Sequence, residues 1–237
     1  MVITNLLQDY VINKFFLNNL FFKTNYSKLY KYNDLLIKEV PQKKNYKNEF
    51  NILKTLDNEN IIKINNNYEF NNKFYTTMKY YPCGDLHYNL ESERINANDY
   101  KLFLHKLINP IYYIHTHNIV HLDLKPENFL LDYDTNNFIL IDFNISQYHN
   151  LGYYELKYVN RIGGTKNFIA PEVQDGYICK SSDMYSLGCM LYTIYEKQYY
   201  NNQPIKIENK ELNTLVTDLL NINHKYRPNI FDLKSFY

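Results

Sequence analysis

The stretch His121-Leu122-Asp123-Leu124-Lys125-Pro126-Glu127-Asn128 restricts this chain more than any other. Within one octapeptide it places a proton acceptor (Asp123), an ammonium able to neutralise a phosphate (Lys125) and a neutral oxygen ligand (Asn128). Fourteen residues past Asn128 comes Asp142-Phe143-Asn144, preceded by the buried-strand run Phe138 to Ile141. A carboxylate at a strand end, brought close to Asn128, makes a site for a hard cation. Mg²⁺ takes oxygen ligands and typically uses one or two carboxylates together with substrate phosphates.

Length and composition leave room for such a cleft. The 237 residues suggest one large domain or two small lobes, at roughly 150 residues per domain. With 45% hydrophobic and 22% charged residues, the chain reads as globular, not disordered. The formal net charge of +1 gives no bulk electrostatic reason to expect nucleic acid or an anionic membrane as partner. Cys83, Cys179 and Cys189 are widely spaced and form no Cys-x-x-Cys pair. That argues against a disulfide framework or a zinc site and for a reducing, intracellular compartment. Asp9, Asn13, Lys14 and Asn18 interrupt Met1 to Leu20, so a signal peptide is not expected. Nor does any apolar run approach the ~18 to 20 residues needed for membrane insertion.

The pattern along the chain changes once. Leu20–Thr24, Ser27–Tyr32, Leu35–Val40, Ile61–Tyr68 and Lys73–Tyr80 are short β-branched or aromatic runs, so strands are expected there. Asn65-Asn66-Asn67 and Asn71-Asn72 read as turns, because Asn tolerates left-handed backbone angles. A helix over Tyr46–Leu56 carries Phe50, Leu53 and Leu56 on one side, with Glu49 one turn before Leu53. From residue 98 helices dominate. Leu102, Phe103, Leu107, Ile111 and Ile114 form a stripe over Asn98–Thr116, with Asn98 as its cap. Ser182–Lys197, capped by Ser181-Ser182-Asp183, and Glu211–Asn221 follow. Tyr81-Pro82-Cys83-Gly84-Asp85 has the residues of a connecting turn. The chain therefore divides near Tyr80 to Gly84 into a strand-rich and a helical lobe, and such a junction favours a ligand cleft.

On these residues the sequence resembles the eukaryotic protein kinase family over nearly its whole length. The family's catalytic loop reads H-R-D-L-x-x-x-N, and only Leu122 departs from its fixed positions. Leu36-Ile37-Lys38 resembles the third-strand V-A-I-K, and Glu49 stands where the partner of that lysine is expected. Met78 to Leu86 is similar to the hinge, with Met78 as gatekeeper. Gly164-Thr165, Ala170-Pro171-Glu172, Ser182 to Gly188 and Arg227-Pro228 resemble later landmarks.

The resemblance implies an α+β, bilobal kinase fold. A small antiparallel sheet with one helix (about residues 1–80) joins a mainly helical lobe (about 86–237) through a hinge (about 79–85), all as one kinase domain. It implies ATP and Mg²⁺ (or Mn²⁺) as cofactors and a protein with Ser or Thr acceptors as partner. Lys38 would hold the α/β-phosphates, paired with Glu49. Asn128 and Asp142 would ligate metal. Asp123 would accept the hydroxyl proton, Lys125 would stabilise the transferring group, and Thr165 would contact the catalytic loop. Phe21, Phe22, Thr24, Ser27, Leu29, Leu36, Met78, Leu130, Asp85 and the backbone of Lys79 and Tyr81 would surround the nucleotide. Asp183 would hydrogen-bond the catalytic-loop backbone, and Glu172 would pair with Arg227.

Four departures stand out. Phe22, Thr24 and Ser27 fall on the three Gly positions of the nucleotide loop, where glycines let backbone amides approach phosphate. Leu36 replaces a small Ala beside adenine. Asn144 replaces Gly after Asp142-Phe143, and Asn is the next best residue for positive φ. Leu122 replaces the Arg that receives an activation-segment phosphate. No Ser or Thr lies between Glu155 and Gly164, Arg161 or a neighbour occupies the usual phosphate position, and only Tyr153, Tyr154 and Tyr158 keep a tyrosine route open. Two readings follow: an active Ser/Thr protein kinase that needs no such phosphate, or a pseudokinase acting as a nucleotide-binding or regulatory scaffold. A kinase of small molecules or lipids fits the Ala-Pro-Glu and Arg227 features less well.

Overall fold

A computed structural model describes residues 19–24, 27–41, 46–95, 97–160 and 163–236. Asp9, Asn13, Lys14, Asn18 and Arg161, named above, lie outside these residues.

The N-terminal part folds into strands β1 (Leu20–Lys23), β2 (Lys28–Tyr32), β3 (Leu35–Pro41), β4 (Ile64–Phe70) and β5 (Lys73–Lys79). They form one antiparallel sheet in the order β1-β2-β3-β5-β4. Asparagine makes the tight turns. Asn33 closes the β2–β3 hairpin at φ 51°, and Asn71 and Asn72, at 47° and 57°, close β4–β5. Two consecutive positive φ angles define the hairpin turn whose twist suits flanking strands. Asn65-Asn66-Asn67 is not a turn but part of β4, with a register shift between Ile64 and Asn66. Thr77 Oγ1 accepts the Asn66 amide there, at 3.1 Å.

Helix α1 (Tyr46–Leu53) ends a turn earlier than its apolar spacing suggests, yet Leu56 remains buried in the turn that follows. The chain then reaches the other lobe. Ile62 N donates to Leu140 O at 3.0 Å, and Leu140 N donates to Asn60 O at 2.8 Å.

The C-terminal lobe contains α2 (Leu86–Glu91), α3 (Tyr100–Thr116), β6 (Ile119–Val120), a single 3₁₀ turn (Pro126–Asn128), β7 (Phe129–Asp132) and β8 (Asn137–Leu140). After these come β9 (Gln147–Tyr148), β10 (Lys157–Tyr158), α4 (Pro171–Gln174), β11 (Tyr177–Ile178), α5 (Lys180–Glu196), α6 (Lys210–Leu219) and α7 (Ile230–Phe236). Strand pairs β6–β9, β7–β8 and β10–β11 are short antiparallel ladders. No helix or strand lies between α5 and α6.

The caps correct three sequence expectations. Asp99, not Asn98, caps α3, its carboxylate accepting from Leu102 N. Leu102 itself is 55% exposed, and the buried face is Phe103, Leu104, Leu107, Ile108, Ile111 and Ile114. Burying one such side chain contributes about 1.5–3 kcal/mol, so this stripe fixes the helix far more than a cap worth ~1 kcal/mol. Helix α5 begins after Cys179, so Ser181, Ser182 and Asp183 lie in its first turn. Helix α6 is capped by Asn209 and ends at Leu219, not Asn221.

Helix α5 is buried continuously from Lys180 to Tyr192. A Cβ on Gly188 would lie 2.9 Å from Leu219 Cβ, so the absent side chain lets α5 and α6 approach. The apolar core runs without a break from Ile52 on α1 to Leu233 on α7.

Candidate active site

Between the lobes lies a cavity of about 680 Å³. Phe21, Phe22, Thr24, Ser27 and Leu29 line it from the β1–β2 hairpin. Leu36, Lys38, Met78, Lys79, Tyr81, Asp85, Leu130 and Asp142 line the rest. Every residue expected around a nucleotide therefore borders one cavity. Asn144 borders it too, as do Glu127, Ile141 and Thr76, which carry no expected role at the nucleotide. Thr76 could have been found from the strand register, because it pairs directly with Lys38.

Strand β3 carries Lys38 inward, and α1 presents Glu49 to it. Lys38 Nζ donates to Glu49 Oε2 at 2.8 Å and to Oε1 at 3.0 Å, while Asp142 Oδ1 lies 3.6 Å away. Burial pulls the Lys38 pKa down, but Glu49 and Asp142 outweigh it and hold the ammonium above its ordinary value. The lysine is therefore a fixed cation at neutral pH.

The loop after β6 carries the second group. Thr165 Oγ1 donates to Asp123 Oδ1 at 2.8 Å and accepts from Lys125 Nζ at 2.7 Å. Lys125 Nζ lies 3.1 Å from Asp123 Oδ2. Asn128 Nδ2 donates to Asp123 O at 2.7 Å and to Oδ2 at 3.1 Å, which leaves its amide oxygen available to a cation. One carboxylate thus receives three side chains, all from residues flagged in the sequence.

Buried groups brace this loop from below. Asp183, in the first turn of α5, accepts from His121 N at 2.8 Å and Leu122 N at 2.9 Å, and pairs with His115 Nε2 at 2.9 Å. His121 Nε2 meets Ile141 O at 3.0 Å, and its ring packs edge-on against the buried Phe143. Leu122 adopts φ 69°, and Gly164, at φ 116°, lies so near that a Cβ there would be 2.9 Å from Leu122 O. The backbone corrects one expectation. Asp142, at φ 65°, is the left-handed residue of its triplet, and Asn144 is not.

Asp85 borders the cavity, but its carboxylate accepts from Tyr88 N at 2.8 Å and caps α2. Its side chain is therefore oriented by the helix. At the β1–β2 turn, Thr24 N donates to Ser27 O at 2.8 Å and Ser27 N donates to Thr24 Oγ1 at 2.9 Å. The amides at two of the three positions where the family carries Gly are thus engaged inside the hairpin.

The segment before Gly164 is fastened by tyrosines. Tyr153 is partly buried, its hydroxyl accepting from Ile230 N at 3.0 Å, and loss of solvation pushes its pKa well up. Tyr154 Oη donates to Arg227 O at 3.0 Å, and His224 Nε2 meets Tyr154 O at 3.0 Å. Only Tyr158 of the three tyrosines is open to solvent, at 63% exposure.

A five-stranded sheet over a helical lobe, with an inward Lys–Glu pair facing an Asp-centred loop, is the architecture of a bilobal kinase. Residues 28–235 match the protein kinase domain, and the chain belongs to that family. It is 32% identical over 162 residues to rat (Rattus norvegicus) myosin light chain kinase 3, covering 67% of this chain and 20% of that protein. It is 33% identical over 149 residues to rat NUAK family SNF1-like kinase 2, covering 62% and 23%. Against calcium-dependent protein kinase 3 of Plasmodium yoelii yoelii the identity is 34% over 186 residues, covering 73% and 34%. The chain thus spans between a fifth and about a third of the length of these curated relatives.

Proposed function

We propose that this chain is a Ser/Thr protein kinase that transfers the γ-phosphate of ATP to Ser or Thr hydroxyls of protein substrates. The observation that carries the reading is the cluster around Asp123, with Thr165, Lys125 and Asn128 all within hydrogen-bond reach of it. The relatives support it, each bearing a kinase name.

The roles follow from chemistry. The cavity volume suits a nucleotide, within the ~300–1,000 Å³ of ligand pockets. Lys38, fixed by Glu49, places positive charge against the α/β-phosphates. Asp142 and the free amide oxygen of Asn128 fit an Mg²⁺ or Mn²⁺ ion, which when bound neutralises phosphate charge. Asp123 orients the acceptor hydroxyl and takes its proton as the oxygen attacks the γ-phosphorus and the bond to ADP breaks. Lys125 donates to the transferring group as negative charge accumulates there. Thr165 holds Asp123 and Lys125 in register. Transfer of this kind is mostly positioning and electrostatic stabilisation, so fixed geometry is the main requirement.

Activity without an activation-segment phosphate is part of the same reading. Leu122 offers no phosphate receiver, while Tyr153 and Tyr154 already tie the segment to Ile230 and Arg227. A pseudokinase is the second reading, and the engaged amides of Thr24 and Ser27 favour it, because they weaken the grip on phosphate. Labelled ATP, Mg²⁺ or Mn²⁺ and a generic protein acceptor, beside Asp123→Asn, decide between them. Label on Ser or Thr that vanishes in the variant is the expected result. Nucleotide binding without transfer establishes the pseudokinase. A stoichiometric phosphate on Tyr158 that proves essential for transfer removes the phosphate-independent part.

A further inference from the structure

We infer that Asn144 is a positioning residue for Asp142: its carboxamide nitrogen holds one carboxylate oxygen and leaves the other to a divalent cation. The inference rests on the kinase reading above, in which Asp142 ligates metal.

The surroundings of Asp142 set the problem. Its backbone is in the left-handed region, uncommon for a residue with a side chain. It is pinned on both sides, by the His121–Ile141 hydrogen bond before it and by the buried Phe143 after it. The carboxylate itself has few anchors. Lys38 stands 3.6 Å from Oδ1, too far for a good hydrogen bond, and gives its closest contacts to Glu49. The hydrogen bond to Oδ1 comes from Asn144 Nδ2.

The orientation of the amide is determined by charge. Turned over, its carbonyl oxygen would face the carboxylate. With nitrogen toward Asp142, Asn144 Oδ1 is buried without a hydrogen-bond partner. A buried polar atom left unpaired needs a compensating gain, and the bond to Asp142 supplies one. Oδ1 of Asp142 thus serves Asn144 and Lys38, and Oδ2 is the oxygen left for a cation. Asn144 also borders the nucleotide cavity, so this contact lies at the reaction cleft itself. A glycine at this position has no side chain and could not make it.

The test measures metal binding directly. Mn²⁺ is titrated by electron paramagnetic resonance with a non-hydrolysable ATP analogue present, for wild type, Asn144→Ala, Asn144→Gly and Asp142→Ala. Loss of a partner behind a metal ligand typically weakens metal binding ~10–100-fold, so about a tenfold rise in the Mn²⁺ Kd is expected in both Asn144 variants. Metal-free analogue affinity and the apo thermal midpoint should stay at wild-type values. In phosphorylation assays the KM for Mg²⁺ should rise while kcat at saturating metal is kept. A Kd within twofold of wild type in both variants overturns the inference, as does an equal loss of metal-free binding. If wild type binds Mn²⁺ and Asp142→Ala does not, the kinase reading stands and the Asn144 comparison alone decides. If wild type binds no Mn²⁺ with the analogue, the reading falls and the inference with it.

Discussion

Arg227 clasps Glu172 across 55 residues of chain, Nη1 to Oε1 at 2.6 Å and Nη2 to Oε2 at 2.8 Å. The arginine is 1% exposed and also donates to Ser181 O, Ile222 O and Asn221 O. Glu172 accepts a further bond from Ser182 Oγ at 2.7 Å. One guanidinium therefore ties α4, the start of α5 and the loop after α6. Removing one partner of a buried, hydrogen-bonded pair leaves a charge with no compensation and costs about 3–5 kcal/mol. Arg227→Leu and Glu172→Gln should each lower unfolding stability by about that much in urea titrations. A loss under ~1 kcal/mol would mean that water reaches the pair.

The same pair predicts an acid dependence. Burial alone would raise the Glu172 pKa, but Arg227 and Ser182 outweigh it and hold the carboxyl below its ordinary value. A depressed folded-state pKa contributes stability that is complete above the unfolded value and lost as pH falls through the folded one. With the ordinary glutamate near ~4.3, the gap between wild type and Glu172→Gln should be constant from pH 8 to about 5 and narrow below about 4. Chemical denaturation across that range reads it. A gap that does not change with pH would mean that Glu172 titrates alike in both states.

Much of this site was legible because its residues carry their chemistry in their identity. Asp123, Lys125, Asn128 and Asp142 sit at spacings that few other requirements produce; the structure gathers Lys125 and Asn128 around Asp123, and Asp142 with Lys38 and Glu49 on the cavity wall. What was not legible depended on competing partners. Ser182 and Asp183 read as helix caps; Ser182 does accept from Cys179 N at 3.2 Å but also donates to Glu172, while the Asp183 carboxylate is taken by the amides of His121 and Leu122. Asn144 read as a backbone device, whereas its side chain is what engages Asp142. Asn65 to Asn67 read as a turn, and pairing with β5 overrode local preference. For Ser182, Asp183 and Asn65 to Asn67 the deciding contact was remote in sequence; for Asn144 it was a side-chain bond two residues back.

Thiol chemistry offers an inexpensive check on the core. Burial pushes the Cys179 thiol up to about 11 and Cys189 up to about 12. Both side chains are buried, while Cys83 lies partly exposed at the hinge. The thiolate is the reactive form, so Cys83 alone should alkylate with iodoacetamide under native conditions at pH 8, and all three after denaturation. Intact mass spectrometry counts the adducts. Native labelling of Cys189 would show that α5 is less enclosed than its packing against Leu219 implies.

The β1–β2 turn bears on where the phosphates of the proposed nucleotide would be held. The Ser27 amide already donates to Thr24 Oγ1, and the Thr24 amide to Ser27 O. Neither can reach a phosphate without breaking the turn. Under the proposed function Lys38, charged and braced by Glu49, would carry that contact instead. Charge-assisted hydrogen bonds contribute about 1.5–3 kcal/mol, and ~1.4 kcal/mol is tenfold in affinity. Lys38→Met should therefore weaken ADP binding at least tenfold while leaving adenosine binding nearly unchanged. Thr24→Gly should alter ADP affinity by less than about threefold. Calorimetric titration of both ligands into each variant measures the two differences. A large loss in Thr24→Gly with a small one in Lys38→Met would place the phosphate grip back on the loop.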